Sequence, residues 1–303
     1  MNIPALFAEI HASLPNVNTG RVADYIPELS KIDPTKFGVH ATTVDGRQFS
    51  YGDAAEGFSI QSIAKVLSLT MAYQRLDQNL WKRVGVEPSG TPFNSLIQLE
   101  ADRGIPRNPM MNAGALVVCD VLLDYLAEPQ RELLAFVRSI SQDGTINYNE
   151  AVAASERANS DRHRALIEFM RSFGNIDNDT DRILNFYCHL CSLEMNCAQV
   201  SATFLFLANH GRSPLSGQQI VTGGMSKRIN AIMQLTGFYD EAGEFSYRVG
   251  LPGKSGVGGG IVAVLPGNYA ITVWSPPLNP KGNSEFGMAF LEEFTTRVGG
   301  SVF

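Results

Sequence analysis

Two short stretches hold residues able to do nucleophilic chemistry. In Ser62-Ile63-Ala64-Lys65 the serine and lysine stand three positions apart, which places them on one face of a helix. A serine hydroxyl is a poor nucleophile until a base takes its proton. A lysine one turn along can do this once its pKa falls toward neutrality. A fall of about 3 units costs about 4 kcal/mol, which burial and a helix N-terminus can supply. The flanking Phe58, Ile60, Ile63, Ala64, Val66, Leu67 and Leu69 are apolar almost all round and predict a buried helix. Ser59 is its expected N-cap. Ser62 then falls in the first turn, where free N–H groups and the positive dipole end favour developing negative charge. The second stretch is Lys254-Ser255-Gly256, between Gly250-Leu251-Pro252-Gly253 and Val257-Gly258-Gly259-Gly260. Glycines here permit close backbone approach. A strand edge beside the serine can donate an N–H to an oxyanion, worth about 3 kcal/mol in the transition state.

Positioning these residues requires a scaffold. Ile3, Leu6, Phe7 and Ile10 have helical spacing and predict a helix over 1–14, with a break at Asn16 to Gly20. Gly38 to Thr43 and Gln48 to Tyr51 alternate around Asp45-Gly46, which predicts a hairpin. Helical periodicity runs from Ser59 to about residue 210, punctuated by Pro88, Pro92, Pro106, Pro109 and Gly144. Within it, 113–127 and 164–173 predict one helix each and 183–209 predicts two. After Pro214 the pattern returns to strands and glycines, with strands expected at 245–249, 260–265 and 269–275, the last two joined at Pro266-Gly267-Asn268. A closing helix follows over 285–298. The expected class is α+β: a mainly antiparallel sheet with both terminal helices on one face. Residues 1–58 and 215–303 form the sheet lobe, and 59–214 form a helical lobe carrying the serine. The cleft between them is the expected ligand site.

Composition excludes other classes. The 303 residues carry 18% charged and 44% hydrophobic side chains with a net charge of −6. No Lys/Arg-rich run provides a nucleic-acid footprint. No run of about 18 apolar residues predicts a membrane span. The N-terminus MNIPALFAEI has no basic segment and carries Glu9, unlike a secretory signal. Four cysteines fit a reducing cytoplasm. Cys188 and Cys191 lie one helical turn apart in an apolar segment, and are expected to be buried thiols rather than metal ligands.

Serine-x-x-lysine early and Lys-Ser-Gly on a late strand resemble the paired motifs of the penicillin-recognising serine enzymes, which implies a β-lactamase-like fold. A closer resemblance is carried by Val22-Ala23-Asp24-Tyr25-Ile26-Pro27, Glu87-Pro88-Ser89-Gly90, Asn108 to Ala115, Ser155-Glu156, Phe186 to Ser192, Gly237-Phe238-Tyr239-Asp240, Val249 to Gly260 and Trp274 to Leu278. In these stretches, in order along nearly the whole chain, the sequence resembles the serine-dependent glutaminases. The resemblance implies hydrolysis of the side-chain amide of L-glutamine through a glutamyl ester on Ser62. Lys65 would take the serine proton and Tyr239 would share the proton work. The backbone N–H groups of Ser62 and Val257 would form the oxyanion hole. Tyr25, Asn112, Glu156 and Tyr187 would bind the amino-acid end, Glu156 facing the ammonium. Lys254 would lie near the site. No metal or cofactor is implied, and a homodimer or homotetramer is.

His163 departs from the family, which has Asn seven residues after the glutamate. Neutral imidazole can still donate one hydrogen bond and accept one. Protonated, it would repel the substrate ammonium, which predicts weaker glutamine binding below about pH 6.5. Thr236 is a milder departure, since relatives often have Cys. Two other readings remain open: another serine amidase or esterase on this scaffold, and an amino-acid-binding relative that has lost turnover. Ammonia release compared with nitrocefin turnover separates the first, and the retained Ser62, Lys65, Tyr239 and Lys254 argue against the second.

Overall fold

The computed structural model describes residues 2–14, 20–89 and 96–303. The break at Asn16 to Gly20, Gly20 apart, lies outside the described residues, as do Gly90 and Pro92. In chain order the elements begin with α1 (Ile3–Ser13), β1 (Gly38–Thr43), β2 (Gln48–Gly52), β3 (Phe58–Ser59), α2 (Lys65–Leu76), α3 (Leu96–Ala101), α4 (Asn112–Leu123) and α5 (Pro129–Ser141). Then come β4 (Asn147–Tyr148), α6 (Glu150–Ala158), α7 (Asp161–Ser172), α8 (Thr180–Cys191), β5 (Leu193–Met195) and α9 (Cys197–Ala208). The chain ends with α10 (Gly223–Thr236), α11 (Ala242–Arg248), β6 (Gly253–Ser255), β7 (Gly260–Leu265), β8 (Tyr269–Trp274) and α12 (Glu285–Val298).

Both expected hairpins join one antiparallel five-stranded sheet, ordered β2-β1-β8-β7-β6. Alternation along the strands divides its side chains between two cores. Val39, Ala41, Ile261, Ala263, Ile271 and Val273 face α1 and α12, where Phe7 packs against Phe290 and Phe294. Val262, Val264, Ala270 and Trp274 face the helical block, with α9 laid across the sheet. The fold is therefore α+β and β-lactamase-like, as its class was read.

Three local readings are corrected. Residues 245–248 end α11 and Val249 is its C-cap, so 245–249 are not a strand. Phe245 and Val249 are four apart and both buried, which is a helical spacing. Residues 223–236 form α10, whose buried Ile229, Ile232 and Met233 have the same helical period. The helix expected from Ser59 also begins later. Phe58 and Ser59 form a strand paired with β5, Gln61–Ala64 form a 3₁₀ turn, and the α-helix starts at Lys65. Ser59 is not a cap; its hydroxyl donates to the Cys191 carbonyl at 2.9 Å.

Candidate active site

Ser62 sits in a turn fixed from three sides. Gln61 just before it has φ 50°, a left-handed conformation rare for a side-chain-bearing residue and common at functional sites. The Ile60 N–H donates to the Leu193 carbonyl, tying the turn to the small β3-β5-β4 sheet. From the other side, the glycine segment after β6 presses against the turn. A Cβ on Gly256 would stand 2.4 Å from the Ile60 carbonyl oxygen, and one on Gly258 would stand 2.1 Å from that of Ser59. Only glycine permits this approach. It is what brings the Val257 backbone alongside Ser62. Phe58 stacks on Trp274 at 5.1 Å, and the Trp274 indole N–H donates to the Gly258 carbonyl, bracing the contact.

A cavity of about 330 Å³ opens over this turn, a size that suits a small polar molecule. Tyr25, Ser62, Asn112, Glu156, His163, Tyr187, Tyr239 and Val257 all line it. Eight residues from distant stretches of the sequence thus meet at one surface. Tyr25 is 60% exposed and stands at the mouth. Lys65 and Lys254 lie behind the wall, each fully enclosed by protein. Sequence reasoning missed Gln61, Asn159, Arg162 and Cys191, which also line the cavity. Gln61 and Cys191 each adjoin or belong to a stretch already singled out, and that adjacency was the available signal.

The Lys65 amine donates to Asn112 Oδ1 at 2.6 Å and to the Met110 carbonyl at 3.3 Å. Burial lowers its pKa to about 8. Asn112 is the first residue of α4 and does not cap it. Its Oδ1 also accepts from the Tyr187 hydroxyl, and its Nδ2 donates to His163 Nε2 at 3.1 Å. That bond makes His163 Nε2 an acceptor and leaves the proton on Nδ1. Burial above all, then Lys65 and Arg162, lowers His163 to about 4. His163 is therefore neutral at pH 6.5, and the expected loss of binding through its protonation is corrected.

Tyr239 is hydrogen-bonded to Ser62 and Ser255. It too has a left-handed backbone, φ 52°. Burial pushes its hydroxyl up to about 12. Lys254 Nζ lies 4.7 Å from the Tyr239 ring centre and donates to the carbonyls of Gly237 and Ser255. It ties the Tyr239 turn to β6. Burial, then Lys65, holds Lys254 well below the usual lysine range. Glu156 is 6% exposed. Burial raises its carboxyl to about 7, against the lowering effects of a hydrogen bond with Gln61 and the Lys65 charge.

A family model described as Glutaminase matches residues 20–303. The chain belongs to the glutaminase family. A glutaminase of Christiangramia forsetii is 56% identical over 285 residues, 94% of each chain. One of Saccharophagus degradans is 54% identical over 299 residues, 98% of this chain and 97% of the relative. Among solved structures, a probable glutaminase, ybaS, superposes with a TM-score of 0.94 at 31% identity, covering 99% of this chain and 98% of that one. Mglu in its glutamate form has a TM-score of 0.92 at 31% identity, covering 99% of this chain and 69% of that one. Among the described residues no group of three or more His, Cys, Asp or Glu is arranged to hold a metal ion. No helix among them is long and apolar enough to cross a membrane.

Proposed function

We propose that this protein hydrolyses the side-chain amide of L-glutamine to L-glutamate and ammonia, with Ser62 as nucleophile. Family membership supports the overall reaction. What supports the assignment of roles is the placing of two buried groups beside one serine: Lys65, three residues on and lowered by burial to about 8, and Tyr239, hydrogen-bonded to Ser62 and pushed up by burial to about 12. A pair driven apart in this way divides into a base and an acid. Neutral Lys65, one turn beyond the serine, takes the Ser62 proton as Oγ bonds to the amide carbon. The oxyanion forms beside the backbone N–H groups of Ser62 and Val257. As the C–N bond breaks, the Tyr239 hydroxyl gives its proton to the nitrogen and ammonia leaves. The Lys65 ammonium returns a proton to Tyr239. Water then attacks the glutamyl ester in the mirror sequence, freeing glutamate.

Glu156 pairs with the substrate ammonium. The neutral donors of Tyr25 and Asn112 serve the carboxylate, while Tyr187, donating to Asn112 Oδ1, and His163, accepting from its Nδ2, hold the Asn112 amide in place beside the substrate. The cleft lies between the sheet lobe (1–58 and 215–303) and the helical lobe (59–214). Four buried free cysteines support a reducing, cytoplasmic setting. The resemblance extends the proposal to a homodimer or homotetramer.

The test is ammonia release from L-glutamine measured against pH. Glu156 is protonated below about 7, and a neutral carboxyl cannot pair with an ammonium. KM is expected to rise as the pH falls through about 7, approaching about tenfold per unit. The Glu156→Gln variant should show a high KM with little of this dependence. A wild-type KM that stays flat from pH 8 to about 5.5 contradicts the role of Glu156. Nitrocefin turnover without ammonia release would favour the alternative amidase reading.

A further inference from the structure

Behind Tyr239 lies a chain of buried polar groups that the proposed reaction does not use directly. Ser255 and Asn283 are both fully buried, and Glu241 nearly so. Asn283 Nδ2 donates to the Phe238 carbonyl at 3.2 Å and to the Glu241 carboxylate. Both partners are acceptors only, so the Asn283 amide has one orientation. A flipped amide would set its oxygen against a carbonyl and a carboxylate. Its Oδ1 must therefore face Ser255, whose hydroxyl donates to it at 2.6 Å. Glu241 is held in turn by Asn279 at 2.8 Å, with Lys281 at 3.9 Å.

A serine has one proton to donate. The other acceptor within reach of Ser255 Oγ, the Gly237 carbonyl, is longer at 3.3 Å and already accepts from Lys254 Nζ and the Ser255 N–H. With its proton committed to Asn283, Ser255 has only lone pairs to offer Tyr239. In their contact the tyrosine must be the donor.

We propose that Ser255, oriented by Asn283 and Glu241, is a positioning residue that holds the Tyr239 proton in place until the leaving nitrogen arrives. A hydrogen bond accepted from the phenol stabilises its neutral form. A Ser255 that donated would favour the phenolate and lower the Tyr239 pKa, the sense its bond to Tyr239 carries when taken as a donation; the 2.6 Å bond that commits its proton to Asn283 excludes that sense. The other groups facing Tyr239 are Ser62, whose resting hydroxyl then donates to the phenol oxygen, Lys254 over the ring, and Glu156, Cys191 and Tyr25 across the cavity. Glu241 and Lys281 stand behind Asn283. None of these other groups takes the Ser255 proton, so the polarity of the chain is set by Asn283.

The inference rests on reading Tyr239 as the proton donor, and its test separates the two. The near-ultraviolet absorbance of tyrosinate, followed against pH, reports all nine tyrosines. Subtracting the same titration of the Tyr239→Phe variant isolates Tyr239. Ser255→Ala removes an acceptor and is expected to move the Tyr239 midpoint down. Were Ser255 a donor, the midpoint would move up, and that result overturns the proposal. Asn283→Ala frees the serine proton to donate and should lower the midpoint by about one unit or more. Ser255→Thr, which keeps the hydroxyl, should restore the wild-type midpoint. In Ser255→Ala, kcat is expected to fall at least tenfold with KM for glutamine within about threefold, and the alkaline limb of kcat should move with the midpoint. A midpoint that moves while the limb stays fixed upholds the network and overturns the acid role of Tyr239.

Discussion

Replacing Ser62 with alanine is expected to lower ammonia release by about 10⁴-fold or more, while glutamine still binds. The reason is geometric. Among the described residues, Ser62 is the only hydroxyl that both lines the cavity beside Val257 and lies one turn before a buried lysine. The groups assigned to the amino-acid end come from other elements: Glu156 from α6, His163 from α7 and Tyr187 from α8. Losing one oxygen at the turn leaves them in place. Calorimetry on the Ser62→Ala variant should give a glutamine Kd within a few-fold of the wild-type KM at the same pH. Loss of binding together with turnover would mean that the turn had collapsed, and that this variant had not isolated the nucleophile.

Replacing Lys65 with methionine should move activity and stability in opposite directions. Loss of a general base costs about 10²- to 10⁴-fold in kcat. The same change removes an amine that is 1% exposed and whose pKa burial lowers to about 8. The sign follows from linkage. In the unfolded chain lysine keeps its ordinary pKa of about 10.4. Below about 8 the amine is charged in both states, and the folded protein bears the full cost of that buried charge, about 3 kcal/mol. Between the two values the unfolded chain binds the extra proton, so wild-type stability gains as the pH rises. Methionine fills similar volume without a charge. The lost hydrogen bonds to Asn112 and Met110 offset part of the gain. At pH 7 the variant should melt a few degrees higher than the wild type, and the gap should narrow as the pH rises past about 8. A variant that melts lower at neutral pH would show that the lysine's hydrogen bonds outweigh its desolvation.

These results depend on a fold whose class was legible because its periodicities are long and simple. The Asp45-Gly46 turn between alternating strands and the apolar stripes of α1 and α12 announce the sheet and the layer that covers it. Shorter signals failed. Two-residue β3 has no period of its own, so the apolar run around Ser62 read as one continuous helix. Its true start is set by pairing with β5, over a hundred residues away. Phe245 and Val249 sit in a glycine-flanked segment that looks like a turn and a strand, yet their burial follows a helix.

The site divides in the same way. Ser62, Lys65 and Lys254 were visible as spaced motifs, and the cavity residues through family resemblance. What no local pattern could show was burial. Burial makes His163 a neutral acceptor rather than a titrating switch, moves the pH sensitivity to Glu156, and separates Lys65 from Tyr239. Likewise the Ser255–Asn283 bond joins residues 28 apart in sequence, and its direction emerges only from the partners on the far side of the amide.

A glutamyl ester on Ser62 is detectable by mass spectrometry of the protein and of its peptides. Enzyme mixed with L-glutamine is quenched in acid within the first turnovers and digested. A fraction of protein heavier by one glutamyl group is expected, located on the peptide bearing Ser62, absent from Ser62→Ala, and larger at a pH where deacylation is slowed. Turnover with no such adduct at any quench time, or an adduct on another residue, would contradict the ester on Ser62.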